Sequence, residues 1–487
     1  MLYGLYKSPT LCNLRKMQES KNKFAKSIAK KFKKCYNRAI FLKKIAHYEF
    51  FEFISCKEGR EMKYFEMSKS DLLAEKQILM EKYNAFCEKG LRLDLSRGKP
   101  NGEQLDVSEG FYTLPLAKPL YIAGSTDCRN YGILEGLPEM RDFFAELLCV
   151  PRENVLIGGN SSLQLMFDAL MRALVFGFCD SPRPWAQEKE KKWICVVPGY
   201  DRHFRITEQL GFELLSVNMK EDGPDMDAVE ALVKDPAVKG IWCVPKYSNP
   251  TGNTYSEEVV HRLVSMKCAA PDFRIMWDNA YAVHDLEEKG DALADVFALA
   301  KQYGNENRVL YFASTSKVTL PGAGVAMMAA SEENRKQMLP IIGSQTIGYD
   351  KMNQLRHLHF FGTPENAHVH MQKLGKLISE KFRIALAALE TLKDAGIAEW
   401  TKPRGGYFIT LTVPEGTAKR VHKLMSDAGV VLTPAGATHP HGIDPTDSVL
   451  RLAPTYPTNA ELKLGCEILA VCVRLSAIEK LLSKENQ

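Results

Sequence analysis

Short apolar runs alternate with helical patterns through the middle of this chain, which is 487 residues long. Each run is followed by turn-forming or polar residues, as is typical of buried strands. Five strands are predicted in this way, at residues 154–157, 193–197, 240–244, 274–277 and 309–313. The helical patterns around them cover residues 139–148, 163–176, 225–234 and 256–266. This alternation predicts an α/β domain with a mostly parallel sheet and helices on both faces.

Helical periodicity also marks the two flanks of this region. Residues 69–89 carry apolar positions at a helical period, and Gly90 follows them, where a glycine favours the end of a helix. A long helix is predicted over residues 366–394, and short strands and helices alternate beyond it, which predicts a smaller α+β domain. The expected boundaries are 67–128 for the N-terminal part of the small domain, 129–362 for the large domain and 363–487 for the C-terminal part of the small domain.

The beginning of the chain differs from the rest in charge. Residues 1–48 hold thirteen Lys and Arg against one acid, Glu19, so this segment carries +12 while the whole chain carries +5. A solvated tail, a transit peptide, a nucleic-acid-binding arm and an over-extended reading frame before Met67 all fit this composition. We expect residues 1–66 to be a basic extension that is either disordered or an over-extended start.

The remaining composition narrows the class of protein. The twelve cysteines are scattered without a Cys-x-x-Cys pair, so neither a zinc site nor a disulfide framework is expected. No apolar run approaches the roughly 18 residues that a membrane span needs. Beyond the extension the chain is mildly acidic, which does not favour a nucleic-acid partner. A cytoplasmic protein without a membrane or nucleic-acid partner is therefore the expectation.

Polar and aromatic residues follow four of the predicted strands. Ligands bind beyond the carboxyl ends of parallel strands, so these residues are expected to meet in one site. Lys317 follows the apolar run 309–313, where burial lowers the pKa of a lysine and makes its amine nucleophilic. The four segments at the strand ends are 198–203, 245–252, 278–281 and 314–317.

A fifth strand end carries a different signal. Residues 158–162, Gly-Gly-Asn-Ser-Ser, stand between the strand 154–157 and the start of a helix. Backbone N–H groups and the helix dipole attract anions at such a place, and serine hydroxyls add donors. A simple helix N-cap is the alternative interpretation of the same pattern.

Taken in order, these motifs resemble the pyridoxal-phosphate (PLP) aminotransferases of fold type I. Residues 93–100, Leu-Asp-Leu-Ser-Arg-Gly-Lys-Pro, and 198–204, Pro-Gly-Tyr-Asp-Arg-His-Phe, are similar to the type Ic aspartate aminotransferases of bacteria. The resemblance covers residues 69 to about 480. It implies the PLP-dependent transferase fold type I, which is a large domain with a mostly parallel seven-stranded sheet flanked by helices and a smaller α+β domain.

The resemblance implies a role for each residue around the cofactor. Lys317 would form the Schiff base with PLP and later move the substrate proton. Asp278 would pair with the pyridine N–H, although a turn or N-cap aspartate fits the same position. Tyr281 and Asn249 would donate to the phenolic oxygen of the cofactor.

Further cofactor contacts follow from the same resemblance. Tyr200 would stack on the cofactor ring and His203 would support the aspartate behind it, unless His203 is a purely structural histidine. Tyr131 would reach the phosphate of the neighbouring subunit in a homodimer, with a core tyrosine as the alternative. The residues expected around the phosphate are Gly159, Asn160, Ser161, Ser162, Ser314 and Ser316.

Substrate binding is expected to depend on arginines. Arg451, in an apolar strand, stands where the family grips the substrate α-carboxylate, since a planar guanidinium pairs with a carboxylate through two hydrogen bonds. A surface arginine is the alternative. For a second, distal carboxylate we favour Arg97, and Lys99, Arg356 and Arg404 remain alternatives.

One position departs from the family pattern. Fold type I aminotransferases usually place an arginine that clamps the phosphate in a Pro-Gly-Leu-Arg segment after the lysine. Here residues 321–324 are Pro-Gly-Ala-Gly, with Gly324 at the arginine position. Either hydroxyl groups and the helix dipole suffice, or another cation such as Lys246 or Arg129 substitutes.

The predicted function is ping-pong transamination between an amino acid, L-aspartate, and a 2-oxo acid, 2-oxoglutarate. An alanine, aromatic or 2-aminoadipate aminotransferase is an alternative on the same scaffold. A transcription regulator with an aminotransferase-like sensor domain is a further alternative, which depends on the basic N-terminus.

Overall fold

The computed structural model describes residues 63–114 and 121–484. The basic extension predicted for residues 1–66 lies outside the described residues, apart from its last four. Of these, Tyr64–Glu66 form a 3₁₀ turn, and Tyr64 is buried with its N–H bonded to the carbonyl of Ala395. The ordered body therefore includes residues on both sides of Met67.

The strands of the described residues are numbered in chain order. They are β1 Leu93–Asp94, β2 Ile122–Ala123, β3 Thr126–Asp127, β4 Val155–Ile157, β5 Lys192–Val197, β6 Glu213–Lys220, β7 Gly223–Pro224, β8 Val238–Cys243, β9 Arg274–Asp278, β10 Val309–Ser314, β11 Ala326–Ala330, β12 Glu399–Trp400, β13 Ile409–Thr412, β14 Val430–Val431 and β15 Val449–Leu452.

The α-helices are numbered in the same way. They are α1 Lys69–Cys87, α2 Gly102–Asp106, α3 Pro138–Leu148, α4 Ser162–Phe176, α5 Asp201–Gln209, α6 Met226–Leu232, α7 Glu257–Ser265, α8 Val296–Gln302, α9 Glu332–Gln345, α10 Lys351–Phe361, α11 Pro364–Glu390, α12 Ala418–Asp427 and α13 Asn459–Lys484.

The large sheet has eight strands in the order β4-β11-β10-β9-β8-β5-β6-β7. The five central strands β10, β9, β8, β5 and β6 are parallel, while β4, β11 and β7 join through antiparallel pairs. Seven strands were predicted, and the two-residue β7 at the edge brings the count to eight. The parallel core aligns the carboxyl ends of β5, β8, β9 and β10 at one edge, as predicted.

Two hydrophobic cores fill the faces of this sheet. One packs Val155, Ile241, Ile275 and Val309 against the helices on one side, and the other packs Trp193, Trp242 and Phe312 on the opposite side. Burial on both faces explains why these strands appear in the sequence as continuous apolar runs.

The small domain combines both ends of the described chain. Strand β1 pairs in parallel with β14, and β12, β13 and β15 form an antiparallel sheet. Helices α1, α11 and α13 share one buried core with these strands. Ala123 and Cys128 already pack in the core of the large sheet, so the chain crosses between the domains before residue 128. Within the described ranges, no helix has the length and apolarity that a bilayer span requires.

Candidate active site

Lys317 sits at the end of the short 3₁₀ turn Thr315–Lys317, which follows β10. The Ser314 hydroxyl caps this turn by accepting the N–H of Ser316 at 3.0 Å. The Nζ of Lys317 donates to the Tyr281 hydroxyl at 3.1 Å and lies 4.2 Å from the centre of that ring. Burial lowers the pKa of Lys317, which increases the fraction of free amine near neutral pH.

Asp278 ends β9 and is buried with one oxygen paired and one unpaired. The Nε2 of His203 donates to its Oδ2 at 3.0 Å, and the His203 ring stacks on Trp242 with a centroid distance of 4.4 Å. The other oxygen, Oδ1, is buried without a hydrogen-bond partner among the described residues. An unpaired buried carboxylate oxygen is costly unless a ligand donates to it, so this atom indicates a place for an N–H group.

Tyr200 precedes α5, and its ring lies beside His203, the residue that is bonded to Asp278. Its ring lies 4.8 Å from the His203 ring in an edge contact. Burial raises the pKa of Tyr200, and the charge of Lys317 opposes this shift, so the phenol and the amine are within electrostatic reach of each other. Asp278, His203, Tyr200, Tyr281 and Lys317 therefore converge as the sequence predicted.

The segment 159–162 with Ser314 and Ser316, at the N-terminus of the 15-residue helix α4, is the candidate anion site and is called the anion cup below. Ser161 is the N-cap residue, and its side chain makes no capping hydrogen bond, so the first N–H groups of the helix are left for a ligand. The Ser316 hydroxyl donates to the carbonyl of Asn160 at 2.7 Å and accepts from the Ser314 hydroxyl at 2.8 Å. These bonds connect the segment 159–162, through Asn160, with Ser316 and with Ser314 at the end of β10.

Gly324 explains why the usual phosphate arginine is missing. A Cβ atom at this position would lie 2.7 Å from the Ser316 Oγ and 3.0 Å from the Ser316 N and Cα atoms. The suggested substitutes are paired elsewhere, since Lys246 contacts Asp285 at 2.9 Å and Arg129 contacts Asp127. The described cup is therefore built from hydroxyls and helix N–H groups.

A buried network under the Lys317 turn was missed by the sequence analysis. The Nε2 of His357 lies 3.0 Å from the Thr315 hydroxyl and 2.9 Å from the Thr319 hydroxyl. Burial lowers the pKa of His357 to about 4. One turn earlier on α10, the Asn353 amide donates to the carbonyls of residues 323 and 324 at 3.0 Å. Helix α10 thus fixes both the lysine turn and the Pro-Gly-Ala-Gly loop.

Arg451 lies on β15 with only 9% of its surface exposed. Its Nη1 donates to the Asn249 side-chain oxygen at 3.3 Å and to Asp201 Oδ1 at 2.9 Å, and its Nε donates to the Thr433 hydroxyl at 3.3 Å. Its guanidinium lies 5.0 Å from the ring centre of Phe408. Arg451 and Asn249, which were both expected to bind the substrate, lie in contact with each other, whereas the contacts with Asp201 and Thr433 were not expected.

Arg97 belongs to a loop that reaches Arg451 through two hydrogen bonds. The Thr433 hydroxyl, which accepts from Arg451, donates to the carbonyl of Ser96 at 3.2 Å. Arg97 itself is 62% exposed and pairs with Asp94 at 3.0 Å. Of the other candidate cations, Lys99 lies over the Tyr456 ring, Arg356 lies over the Phe111 ring, and Arg404 pairs with Glu287 and Asp291.

Tyr131 is 83% exposed, so its side chain projects from the surface of this chain. The adjacent Gly132 carbonyl accepts a hydrogen bond from Lys351 at 2.9 Å, which ties the segment to α10. The core-tyrosine alternative for Tyr131 is therefore wrong.

The family was identified by comparison with known proteins. A family model described as aspartate amino-transferase matches residues 67–485. The chain belongs to the aspartate aminotransferase family. The fold and family expected from the motifs are thereby confirmed, and the protein is an aminotransferase.

Several relatives of this aminotransferase are similar over nearly their whole length. An aspartate aminotransferase of Corynebacterium glutamicum is 49% identical over 82% of the chain and 93% of the relative. A putative aminotransferase of Mycolicibacterium smegmatis is 49% identical over 86% of the chain and 99% of the relative. The crystal structure of an aspartate transaminase from C. glutamicum superposes with a TM-score of 0.84 and 46% identity, covering 86% of the chain and 100% of that structure.

Proposed function

We propose that this aminotransferase binds PLP and transfers the amino group of L-aspartate to 2-oxoglutarate. The observation that carries the proposal is the unpaired, buried Oδ1 of Asp278 at the same strand edge as the half-buried amine of Lys317. One group can accept a pyridine N–H and the other can react with an aldehyde. When bound, PLP supplies that aldehyde and a ring that takes up the electrons released at the substrate α-carbon.

The chain's own residues fit the cofactor as a set. Residues 159–162 with Ser314 and Ser316 would hold the phosphate through hydroxyls and the α4 N-terminus. Tyr200 would cover the ring, and Tyr281 and Asn249 would donate to its phenolic oxygen. His203 would hold Asp278 in place through the hydrogen bond to Oδ2.

Lys317 is the residue that moves protons. Because burial lowers its pKa, its Nζ is available as a base that removes the substrate α-proton and returns it to a neighbouring carbon. Tyr281 accepts a hydrogen bond from that Nζ and so restrains the position of the amine. Asp278 would accept the ring N–H through its unpaired Oδ1 and would stabilise a positive charge on that nitrogen.

Substrate selection is proposed to depend on two arginines. Arg451 would pair with the α-carboxylate, which is common to all amino-acid substrates. Arg97 is the candidate for the distal carboxylate of aspartate and 2-oxoglutarate, because its loop is bonded to Arg451 through Thr433. The names of the relatives support aspartate as the donor.

A homodimer is proposed as the active unit. Helix α4 exposes the apolar side chains of Phe167, Met171, Val175 and Phe176 at helical spacing, which is a stripe suited to a second copy of this chain. The exposed Tyr131 is the residue proposed to reach the neighbouring site. The cytoplasmic location and the domain boundaries stay predictions, and the regulator alternative depends on residues outside the described ranges.

Steady-state kinetics with a panel of amino donors tests the substrate. We expect L-aspartate to give the highest kcat/KM. In Arg97→Leu, kcat/KM for aspartate should fall about tenfold or more, while that for alanine changes little, because only aspartate needs the second cation. Arg92→Leu, which removes an exposed arginine from the same segment, is the control. A preference for alanine or an aromatic donor would contradict the aspartate assignment.

A further inference from the structure

The substrate arginine is paired with a carboxylate of the protein itself. Asp201 Oδ1 accepts a hydrogen bond from Arg451 Nη1 at 2.9 Å. Asn249 accepts a hydrogen bond from the same nitrogen at 3.3 Å, but its side-chain amide is neutral. Asp201 is therefore the only charged partner of Arg451 among the described residues.

The position of Asp201 favours a negative charge. It is the first residue of α5, where the helix dipole stabilises an anion, and it directly follows Tyr200 of the proposed cofactor site. Pairing also relieves Arg451, because a nearly buried guanidinium without an anionic partner is destabilising. In the absence of a substrate, this contact keeps the cation neutralised.

Substrate binding changes that balance. The α-carboxylate of an amino acid would bring a second anion to the same guanidinium, and two carboxylates around one cation repel each other. Arg451 is 9% exposed and is held by Thr433 and Asn249, whereas the Asp201 side chain is 38% exposed. The aspartate is thus the partner that is free to rotate into water.

We propose that Asp201 occupies the carboxylate position on Arg451 in the free enzyme and is displaced by the substrate, so that it acts as an internal competitor that sets the affinity for carboxylate substrates. The inference rests on the proposed function, since it takes Arg451 as the α-carboxylate site. It adds a specificity-determining residue that acts on the substrate through Arg451.

The test uses the PLP-loaded enzyme and succinate, a dicarboxylate that has neither an amino nor an oxo group and is not converted. Its dissociation constant is measured by calorimetry for the wild type and for Asp201→Asn and Asp201→Ser. Both variants are expected to bind succinate about three- to tenfold more tightly. The KM for aspartate should fall in the same variants, and kcat should change less.

Two further variants make the result specific. Glu208→Gln removes the same charge from the same helix, at a residue that pairs with His441, and should leave succinate binding unchanged. Arg451→Leu should abolish the binding. Thermal unfolding of each variant verifies that it is folded.

The competitor role would be overturned if both Asp201 variants bound succinate as the wild type does, or more weakly, while Arg451→Leu bound it weakly. Asp201 would then be a residue that only orients Arg451. Equal binding by Arg451→Leu and the wild type would overturn this inference and the proposed carboxylate site together. The two failures are therefore distinguishable.

Discussion

At the residue scale, the proposed chemistry depends on two side chains, each of which has an atom available for a ligand. Asp278 has one oxygen bonded to His203 and one unpaired, and Lys317 has a lowered pKa because of burial. Asp278 ends an apolar strand, and Lys317 follows another strand by three residues, which is why the sequence could identify them. Asp201 and Thr433 escaped prediction, because their contacts with Arg451 join residues that are 250 and 18 positions apart without a local motif.

Asp278→Asn should lower kcat by about 10²-fold or more, because it replaces the anion opposite the proposed pyridine N–H by a neutral amide. The amide keeps the size of the side chain, so folding should be preserved. The measurement is kcat with saturating aspartate and 2-oxoglutarate. Asp222→Asn, at an exposed aspartate that accepts from Ser256, is the control. An Asp278→Asn enzyme with wild-type kcat would contradict the role of Asp278.

His357 should make the protein less stable in mild acid. Burial lowers its pKa from an ordinary value of 6.5 to about 4, so the ring is neutral in the folded state. The unfolded state binds the proton first, so the stability that this group contributes is complete above pH 6.5 and is lost as the pH falls towards 4. The shift corresponds to at most about 3 kcal/mol.

The measurement for His357 is urea denaturation at several pH values between 8 and 4.5. The difference in unfolding free energy between the wild type and His357→Gln should shrink as the pH falls, because the glutamine does not titrate. A difference that is independent of pH would contradict the assignment. Carboxylates titrate in both proteins, so their contributions to the unfolding free energy cancel in the difference between the wild type and His357→Gln.

At the scale of elements, four strands of the parallel core (β5, β8, β9 and β10) were predicted, whereas β6 and helix α10 were not. The four predicted strands are apolar on both faces and are bounded by turn residues, which makes them conspicuous. In β6, by contrast, only Val217 is buried. Helix α10 buries Lys351, Gln354 and His357 together with Leu355 and Phe361, so its inward face is partly polar and lacks an apolar period. The antiparallel strand β11 was not predicted. One reason is that it consists of Ala and Met, which have little strand preference.

The loop held by α10 gives a prediction at this scale. Gly324→Ala should weaken PLP binding about tenfold or more and lower stability by about 1–3 kcal/mol, because the new Cβ would force Ser316 out of the anion cup. The dissociation constant of PLP is measured by adding it back to the cofactor-free protein.

Gly322→Ala is the matched control, since a Cβ there would meet no atom within 4 Å. It lies in the same loop, two residues away, and should leave PLP affinity and stability unchanged. Equal effects of the two substitutions would mean that the loop needs glycine for flexibility and not for the close approach to Ser316.

At the scale of the whole molecule, the sequence predicted a large α/β domain with a smaller α+β domain, and the comparisons confirm this fold. The pairing of β1 with β14 joins segments 337 residues apart, as measured from Leu93 to Val430. Periodicity alone could not reveal a pairing between segments so far apart in the sequence.

The exposed stripe on α4 predicts how two copies associate. Met171→Glu should convert a dimer of twice 54.8 kDa into a monomer, because it places a charge in the apolar stripe. Light scattering after size-exclusion chromatography measures the mass. Activity should fall as well, if Tyr131 of the partner subunit completes each site. Leu73→Glu, at an exposed apolar residue of α1, is the control, and a monomeric wild type would contradict the proposal.

The central claim is that the Lys317 amine would bond to the aldehyde carbon of PLP and would be displaced from that carbon by the amino group of aspartate. The most direct measurement is the visible absorbance spectrum of the purified protein before and after addition of L-aspartate, with Lys317→Ala alongside. We expect a visible band in the wild type that changes with aspartate, and no such band in Lys317→Ala. A wild type without a band after PLP is added, or a Lys317→Ala variant with the same band and the same response, would contradict the account.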